Sequence, residues 1–342
     1  MSDQQAFIEA FLERIKSQYA EDVIGVIVYG SYVTGDMHAF SDLDLVVIGK
    51  NDRVFELSTQ FIYQDIGYDF FCMKEDRLKT IINEFQPLIS IIAEGTLVYA
   101  NHPQTAEWFA KQKEEVLTKA QFTPYSHFAD KIEHILVTMK ALAFDHRFAS
   151  KPQKIQLQGQ LIYLIGHFLG LLNRRHFKYG IKHYLQEIAT FELKPKTILY
   201  YFELFLHQTV NSDDVMKFVC EVDDYWRDLK QQGQTPLQTS DFIGFYEEAL
   251  SSWQKLYHAT ENNDLFTAFL AATSLENELT HFRNQGASLE SMFINYHGNV
   301  ESLAIDAHSA QNSLLKTLQT HEVPINSLDS LEAVIKLLKG EK

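Results

Sequence analysis

Two short apolar runs near the start of the chain, residues 23–29 and 42–48, constrain its fold more than any other part of the sequence. The first run is rich in β-branched residues and ends at Gly30, and the second ends at Gly49. Runs of this length and composition, bounded by glycine, predict buried β-strands. Helical patterns flank both runs, so the chain begins with a small α/β unit that contains a short sheet.

The spacing of apolar residues in the rest of the sequence separates a part with a mixed sheet from a long helical part. In the first hundred residues it predicts a third strand over 68–73, a strand-like run over 88–99, and helices before residue 20, over 53–63 and from Lys74. Beyond residue 100, apolar residues recur at helical spacing over 103–119, 125–147, 154–174, 181–190, 195–208 and 212–230. A polar segment at 230–236 predicts a linker, and further helices follow it. The sequence therefore predicts an α+β fold, with a small mixed-sheet domain at 1–100, a helical domain at 101–232 and a C-terminal helical bundle at 233–342.

The charged residues are unevenly distributed along the chain. Acidic residues number 45 and basic residues 30. A surface this negative repels phosphate backbones, so we expect no polynucleotide partner. Residues 1–100 hold 16 acidic and 7 basic side chains, whereas residues 131–200 hold 4 acidic and 11 basic ones. That basic stretch leaves room for a single small phosphate ligand.

The sequence predicts neither a targeting segment nor a membrane segment. The first 20 residues lack the basic and apolar regions of a signal peptide. The most apolar stretch, residues 161–172, is too short to span a bilayer and predicts a buried helix. Cys72 and Cys220 lie in apolar runs and are expected to be buried thiols in a reducing compartment. We therefore expect a cytoplasmic protein.

The segment that joins the first two strands carries the chemistry. Gly30-Ser31 ends the first strand, ten residues follow, and Asp42-Leu-Asp44 opens the second. Residues two apart on a strand face the same side, so Asp42 and Asp44 present two carboxylates together. Two negative charges at such a short separation are unfavourable unless a cation lies between them. Mg²⁺ is the natural candidate, because it prefers carboxylate oxygen. Gly30 lets the backbone approach a ligand, and Ser31 and the amides after it can donate to phosphate oxygens.

Asp69 adds a third carboxylate in the predicted third strand. If that strand lies beside the strand of Asp42, three carboxylates converge on one sheet face, which suits two-metal phosphoryl or nucleotidyl transfer. Each feature alone has an ordinary structural interpretation: Gly30-Ser31 as a turn that ends a strand, and Asp42 and Asp44 as a solvated strand face. The combination at this spacing favours a functional site.

The pattern Gly30-Ser31-x10-Asp42-x-Asp44, followed by Asp69 between hydrophobic residues, resembles the nucleotidyltransferase superfamily that includes DNA polymerase beta. The spacing is most similar to the small bacterial branch, which contains aminoglycoside nucleotidyltransferases and the minimal nucleotidyltransferases paired with HEPN proteins. The resemblance implies that Gly30 and Ser31 bind a triphosphate and that Asp42 and Asp44 hold Mg²⁺. It also implies that Asp69 completes the metal site or acts as catalytic base, with two Mg²⁺ ions and with ATP or another NTP as co-substrate.

A second resemblance lies further along the chain. The segment from Asn173-Arg174 to Lys182 is similar to a segment of the helical domains attached to some bacterial nucleotidyltransferases, with His176 where an aromatic residue is usual. The resemblance implies that Asn173, Arg174 and Lys182 bind the nucleotide. Arg174 and Lys182 belong to the basic stretch, so their charge also suits a triphosphate. A helix cap at Asn173 and a solvated helix end at the two basic residues are the ordinary alternatives.

The resemblance implies an enzyme that transfers a nucleoside monophosphate, AMP from Mg·ATP, to a hydroxyl of a small molecule and releases pyrophosphate. The acidic composition of residues 233–342 suits a cationic acceptor such as an aminoglycoside. Two alternatives stay open: an enzyme that adds AMP to a protein, and a non-catalytic nucleotide-binding module. The sequence also leaves a homodimer open.

Overall fold

The computed structural model describes residues 3–122, 124–180, 182–233 and 237–339. Contacts divide the chain into two compact units, Met1–Trp226 and Arg227–Lys342. The described residues of the first unit form a mixed five-stranded sheet followed by helices, and those of the second unit are helical. The predicted α+β fold class is confirmed.

The elements follow one another along the described chain. The strands are β1 (Val23–Tyr29), β2 (Asp44–Gly49), β3 (Thr59–Tyr63), β4 (Ile66–Lys74) and β5 (Thr96–Ala100). The first helices are α1 (Asp3–Gln18), α2 (Ser31–Thr34), α3 (Glu75–Asn83), α4 (Ser90–Ala93), α5 (Pro103–Phe122), α6 (Ala129–Phe148), α7 (Lys151–Asn173), α8 (Tyr184–Ala189), α9 (Ile198–Leu206) and α10 (Ser212–Gly233). They are followed by α11 (Thr239–Phe242), α12 (Phe245–Glu261), α13 (Leu265–Asn284), α14 (Val300–Thr320) and α15 (Leu331–Lys339). Short 3₁₀ helices cover Asp52–Leu57, Pro87–Ile89 and Tyr125–Phe128.

The sheet has the strand order β3-β4-β2-β1-β5. β2 and β4 are parallel, and the other neighbouring strands are antiparallel. In this register Tyr29 of β1 pairs with Asp44 of β2, and Leu45 of β2 pairs with Phe70 of β4. The carboxyl end of β1 therefore meets the start of β2, and the start of β2 lies beside β4.

Helix α1 covers one face of the sheet. Phe11 and Ile15 lie one helical turn apart and pack in one buried cluster with Leu45 and Phe70. Burying a side chain of this size contributes about 1.5–3 kcal/mol. Along β1, Ile27 faces the opposite side of the sheet from the residues that pack against α1. Helix α4 contacts β1 and covers that opposite side. The sheet is thus covered on both faces within the first unit.

The predicted helix over 53–63 is wrong in its second half, because residues 59–63 form β3. Cross-strand aromatic packing explains the difference: Phe61 stacks on Tyr68 with ring centroids 4.9 Å apart, and Phe7 of α1 meets both rings edge-on. Such pairs stabilise neighbouring strands. The turn between β3 and β4 places Gln64 and Asp65 at positive φ, without the glycine or asparagine that normally signals such a turn.

The strand-like run over 88–99 is also corrected. Pro87–Ile89 is a 3₁₀ helix, Ser90–Ala93 is α4, and only Thr96–Ala100 is a strand. Both faces of α4 are buried, so its sequence lacks the polar side that distinguishes a surface helix from a buried strand. Gly95 joins the two elements, and a side chain there would overlap the Ile91 carbonyl.

The helices predicted beyond residue 100 are present, with small shifts at their ends. The predicted segment 181–190 contains the shorter helix α8, and Ile181 lies outside the described residues. In the predicted linker, α10 continues to Gly233, and residues 234–236 lie outside the described part. The expectation for Cys220 is wrong: it is exposed, whereas Cys72 is half-buried. The three domain boundaries stay predictions.

One described helix, α7, is long and apolar enough to cross a membrane by length and composition, and half of its most apolar window is buried inside the protein. Leu161, Ile165, Phe168 and Leu172 are among its fully buried side chains. The predicted buried helix at 161–172 is therefore confirmed as part of the core of the first unit.

The second unit has its own core. Trp253, Leu256, Leu275 and Leu314 belong to one buried cluster to which α12, α13 and α14 contribute. Side chains at helical spacing on each helix supply this cluster, as an antiparallel helical bundle requires.

Candidate functional site

The end of β1 and the start of β2 approach each other so closely that only glycine fits between them. Gly30 follows β1 with φ at 66° and ψ at −153°, a conformation that residues with a side chain rarely adopt. A Cβ atom on Gly30 would overlap the Asp44 carboxylate. Gly30 is thus required by its backbone conformation and by the side chain beside it.

Helix α2 begins directly after Gly30. Ser31 is its first residue and is 8% exposed, and the amides of Val33 and Thr34 donate to the Gly30 carbonyl. The amides that open a helix have no acceptor within that helix. The amides of Val33 and Thr34 are thus already bonded. The donors that the start of α2 can offer a ligand are the Ser31 hydroxyl and the preceding amides, those of Ser31 and Tyr32.

Asp42 and Asp44 are held in place from α1. Gln4, which is buried, donates through Nε2 to the carbonyl oxygens of Ser41 at 3.2 Å and of Asp42 at 3.3 Å. Leu43, between the two aspartates, is fully buried. β2 begins at Asp44 rather than at the predicted residue 42, but the alternation still places both aspartates away from the core.

The two carboxylates lie in each other's field. Burial raises the pKa of Asp44 to about 6, the charge of Asp42 raises it as well, and Lys182 opposes the shift. Burial also raises the pKa of Tyr29, and the charges of Asp44, Asp42 and Asp69 raise it further. This end of the sheet therefore concentrates negative charge.

Asp69 lies beside this pair but in a different environment. Because Leu45 pairs with Phe70, the preceding residues Asp44 and Asp69 are neighbours on adjacent strands and face the same side. Asp69 is exposed, and its Oδ1 accepts a hydrogen bond from Gln60 Nε2 at 2.7 Å. It is not among the described residues that line the cavity at Asp42.

A metal ion is compatible with the Asp42–Asp44 pair. Within residues 3–122, 124–180, 182–233 and 237–339, no three His, Cys, Asp or Glu side chains group closely enough to hold a metal ion. Mg²⁺ often takes only one or two protein carboxylates, with water and substrate phosphates completing its shell. Two half-buried carboxylates, one of which is costly to ionise without a nearby cation, fit that arrangement.

These residues line a cavity of about 290 Å³, which we call the aspartate cavity. Gly30, Ser31, Asp42 and Asp44 line it together with Lys182, which comes from the segment between α7 and α8. The structure thus brings five of the predicted site residues together from regions of the chain that are far apart in sequence.

Lys182 is held at the aspartate cavity by an ion pair with Asp36. Its Nζ lies 3.4 Å from the Asp36 carboxylate and 3.4 Å from the Asp36 carbonyl oxygen. Asp36 also accepts a hydrogen bond from Thr34, which lowers the pKa of its carboxyl, and Lys182 lowers it further. The second resemblance predicted the position of Lys182, and the ion pair shows how it is anchored.

Asn173 and Arg174 are not brought to the cavity. The side-chain amide of Asn173 donates to the carbonyl oxygens of Leu169 and Leu193, and its oxygen accepts from the Leu193 amide. These bonds fasten the end of α7 to the segment that follows α8. Arg174 ends α7 in a left-handed conformation. Neither residue is among those described as lining the aspartate cavity.

Several cavity residues were missed in the sequence. Tyr29, Asp36, Glu94 and Lys178 all line the aspartate cavity. Lys178 lies in the basic stretch four residues before Lys182, which was a usable signal. Glu94 carried no signal, because it lies at a helix end inside a run that resembled a strand.

Comparisons with known proteins identify a domain family in the first part of the chain. Residues 8–137 match the model of the nucleotidyltransferase domain family. These residues form a nucleotidyltransferase domain. The resemblance based on Gly30-Ser31 and the paired aspartates is thereby confirmed, and the nucleotidyltransferase domain spans the sheet and continues into α6.

One relative and one solved structure are similar to parts of this chain. A protein of Methanocaldococcus jannaschii with the provisional name protein adenylyltransferase is 33% identical over 63 residues, which are 18% of this chain and 43% of that protein. The match thus spans less than half the length of that relative. A nucleotidyltransferase-like protein from Exiguobacterium sibiricum 255-15 is 12% identical, with a TM-score of 0.33, over 68% of this chain and 82% of that chain.

Gly30→Ala is expected to destabilise the nucleotidyltransferase domain more than Gly35→Ala. Both glycines have positive φ, which costs alanine about 1–2 kcal/mol. The two glycines differ in their surroundings. A Cβ on Gly30 would overlap the Asp44 carboxylate, whereas nothing lies within 4 Å of a Cβ built on Gly35. The overlap with Asp44 adds about 1–3 kcal/mol. Urea denaturation measures both variants, and equal losses would contradict the close approach of Gly30 to Asp44.

Asp44→Asn is expected to stabilise the metal-free protein at pH 8. The folded-state pKa of Asp44, about 6, lies above its ordinary value of 3.8. The contribution of Asp44 to stability is therefore fully present below about pH 4 and is lost as the pH rises through 6. The Tm of the variant should exceed that of the wild type by about 2–6 °C at pH 8, with little difference at pH 4.

Thermal denaturation in EDTA tests this expectation. Asp65→Asn is the matched control, because Asp65 is exposed in the turn between β3 and β4. An Asp44→Asn advantage that is the same at both pH values would contradict the burial cost assigned to Asp44.

Proposed function

We propose that this chain transfers AMP from Mg·ATP to a hydroxyl of a small molecule and releases pyrophosphate. The observation that carries the proposal is that Asp42, Asp44, Ser31 and Lys182 line one cavity. Nucleotidyl transfer needs carboxylates for a metal, donors for phosphate oxygens and a fixed approach for the acceptor. The aspartate cavity supplies the first two.

Different residues of the aspartate cavity would bind the metal ion and the phosphate groups. Asp42 and Asp44 would hold Mg²⁺, which neutralises triphosphate charge and polarises the reacting phosphate when bound. Ser31 and the first amides of α2 would donate to phosphate oxygens. Lys182 and Lys178, which also line the cavity, would contribute positive charge. A second Mg²⁺ ion and a role for Asp69 stay predictions.

The transfer itself is a displacement at the α-phosphorus. The acceptor oxygen forms a bond to that atom, the bond to the bridging oxygen breaks, and pyrophosphate leaves with the electron pair. A carboxylate that accepts the hydroxyl proton assists the attack. An aminoglycoside-like acceptor is supported only by the acidic composition of residues 233–342.

One observation favours a second candidate function, the adenylylation of a protein. The relative from Methanocaldococcus jannaschii carries the name protein adenylyltransferase. The shared 63 residues make a protein hydroxyl the main alternative acceptor for this chain.

Asp42→Asn and Asp44→Asn are each expected to reduce pyrophosphate release from ATP at least about 100-fold, because each removes a charge from the metal-binding pair. The measurement is a coupled pyrophosphate assay with Mg²⁺, and Asp65→Asn is the control. Wild-type rates in either site variant, with the fold intact by circular dichroism, would sink the proposed mechanism.

Incubating the chain with α-labelled ATP in a cell lysate separates the acceptor classes. Label that passes a size filter with a new small product supports the small-molecule acceptor. Label retained on a protein band supports the alternative, and a chain that binds ATP without transferring label is a non-catalytic module.

Lys182→Gln is expected to raise the KM for ATP about tenfold, since a charged hydrogen bond to phosphate contributes about 1.5–3 kcal/mol. Lys196→Gln is the matched control: Lys196 is exposed, belongs to the same basic stretch and is not among the described cavity residues. Steady-state kinetics over a range of ATP concentrations measures both. An unchanged KM in Lys182→Gln would remove Lys182 from the phosphate site.

A further inference from the structure

A second cavity adjoins the aspartate cavity in the first unit. Its volume is about 390 Å³, and we call it the aromatic cavity. Ser90 and Gly180 line both cavities. A ligand in the aromatic cavity therefore lies next to the residues proposed to hold the triphosphate.

The walls of the aromatic cavity are mainly apolar. They include Phe85, Ile89, Leu164, Leu171, Phe177 and Tyr184. Phe177 and Tyr184 stack with ring centroids 4.4 Å apart. None of the described residues that line it is acidic, and Arg175 is its fixed charge. A positively charged ligand would lose its hydration there without gaining a counter-ion, which is unfavourable.

The shape of this wall depends on a glycine in α7. The hydroxyl of Tyr184 lies against Gly166 and donates to the Ile162 carbonyl at 3.2 Å. A Cβ on Gly166 would overlap that hydroxyl. The position of the Tyr184 ring is thus built into the helix packing.

His167 gives the aromatic cavity one polar group. It lines the cavity, and its Nε2 is buried with no hydrogen-bond partner among the described residues. Burial lowers the pKa of His167, with a further lowering by Lys131, so the ring is neutral at neutral pH. A neutral imidazole suits an uncharged hydroxyl-bearing ligand better than a cation.

A carboxylate lies where the two cavities adjoin. Glu94 lines the aspartate cavity, His176 lines the aromatic cavity, and Glu94 Oε1 is 2.8 Å from His176 Nε2. Their side chains are only 21% and 16% exposed. The contact fixes the direction of the Glu94 carboxylate at the border between the cavities. Asp69, by comparison, is exposed and bonded to Gln60.

We propose that the aromatic cavity binds the acceptor, and that this acceptor is an uncharged alcohol with an aromatic body. This proposal rests on the proposed function. The hydroxyl extends into the aspartate cavity, where its oxygen bonds to the α-phosphorus and the bond to the bridging oxygen breaks. Pyrophosphate leaves with that electron pair, and the hydroxyl proton passes to Glu94.

The same walls could stack a nucleobase, but the border residues favour an alcohol. A nucleobase gives up no proton during transfer, whereas an attacking hydroxyl does, and Glu94 is placed to accept it. A polycationic aminoglycoside is disfavoured because the described cavity walls offer it no carboxylate. The lack of acidic residues among the described walls of the aromatic cavity therefore favours an uncharged alcohol over a polycationic acceptor.

Binding to the aromatic cavity is tested without turnover, by saturation-transfer NMR at pH 7.5. The probes are benzyl alcohol and 2-phenylethanol, each with its matched amine, benzylamine or 2-phenylethylamine. We expect the alcohols to bind and the cationic amines to bind about tenfold more weakly or not at all. Leu164→Trp, which fills the cavity, should abolish alcohol binding. Leu206→Trp, at a leucine 60% exposed and outside the described cavity walls, should leave it unchanged.

Three outcomes would overturn the assignment. Amines that bind as well as their alcohols would show that the cavity accepts cations. Alcohol binding that survives Leu164→Trp would place the alcohol elsewhere. Displacement of the alcohol by adenosine would assign the cavity to the nucleobase.

Glu94→Gln tests the proton acceptor in label transfer from α-labelled ATP to 2-phenylethanol. We expect kcat to fall at least about 100-fold, with the KM values for ATP and alcohol nearly unchanged. A rise in KM at constant kcat would give Glu94 a binding role and overturn its assignment. If neither this alcohol nor any lysate component is labelled by the wild type, the proposed function fails, while the NMR titration still decides what the cavity binds.

Discussion

The close approach of Gly30 to Asp44 is the constraint on which the rest of the site depends. Tyr29 and Asp44 form the last pair of the β1–β2 ladder, and the chain must then turn into α2 without a side chain in the gap. A larger residue would separate the two strands beside the Asp44 carboxylate. The same tight turn starts α2 and brings Ser31 into the cavity that Asp42 and Asp44 also line, so backbone geometry and site chemistry have one cause.

Electrostatics links this end of the sheet to a distant part of the chain. Asp42 and Asp44 are both half-buried, so it is unfavourable to ionise the two carboxylates together. The pKa of Asp44 is raised for this reason. Lys182, which lines the same cavity, lowers the pKa of Asp44 and so opposes that shift. The acidic first hundred residues and the basic stretch at 131–200 are therefore complementary in the folded unit, and the net charge of the chain hides this relation.

Much of the candidate site could be predicted from the sequence, because period-two alternation and a glycine after a strand are local signals. Gly30, Ser31, Asp42 and Asp44 were found in this way. The β3–β4 hairpin was missed because its turn uses Gln64-Asp65 at positive φ, where the usual residues are absent. Long-range contacts leave no local pattern, and for this reason the sequence did not reveal the position of Glu94 beside His176, or the aromatic cavity.

The ion pair between Asp36 and Lys182 joins residues that are 146 positions apart. A ribosome adds about 5–20 residues per second, so Lys182 is synthesised about 7–30 s after Asp36. During that interval the sheet can fold around its aspartates, but the cavity lacks its basic side. The nascent protein therefore acquires the residues of the aspartate cavity in two stages, with the acidic ones made first.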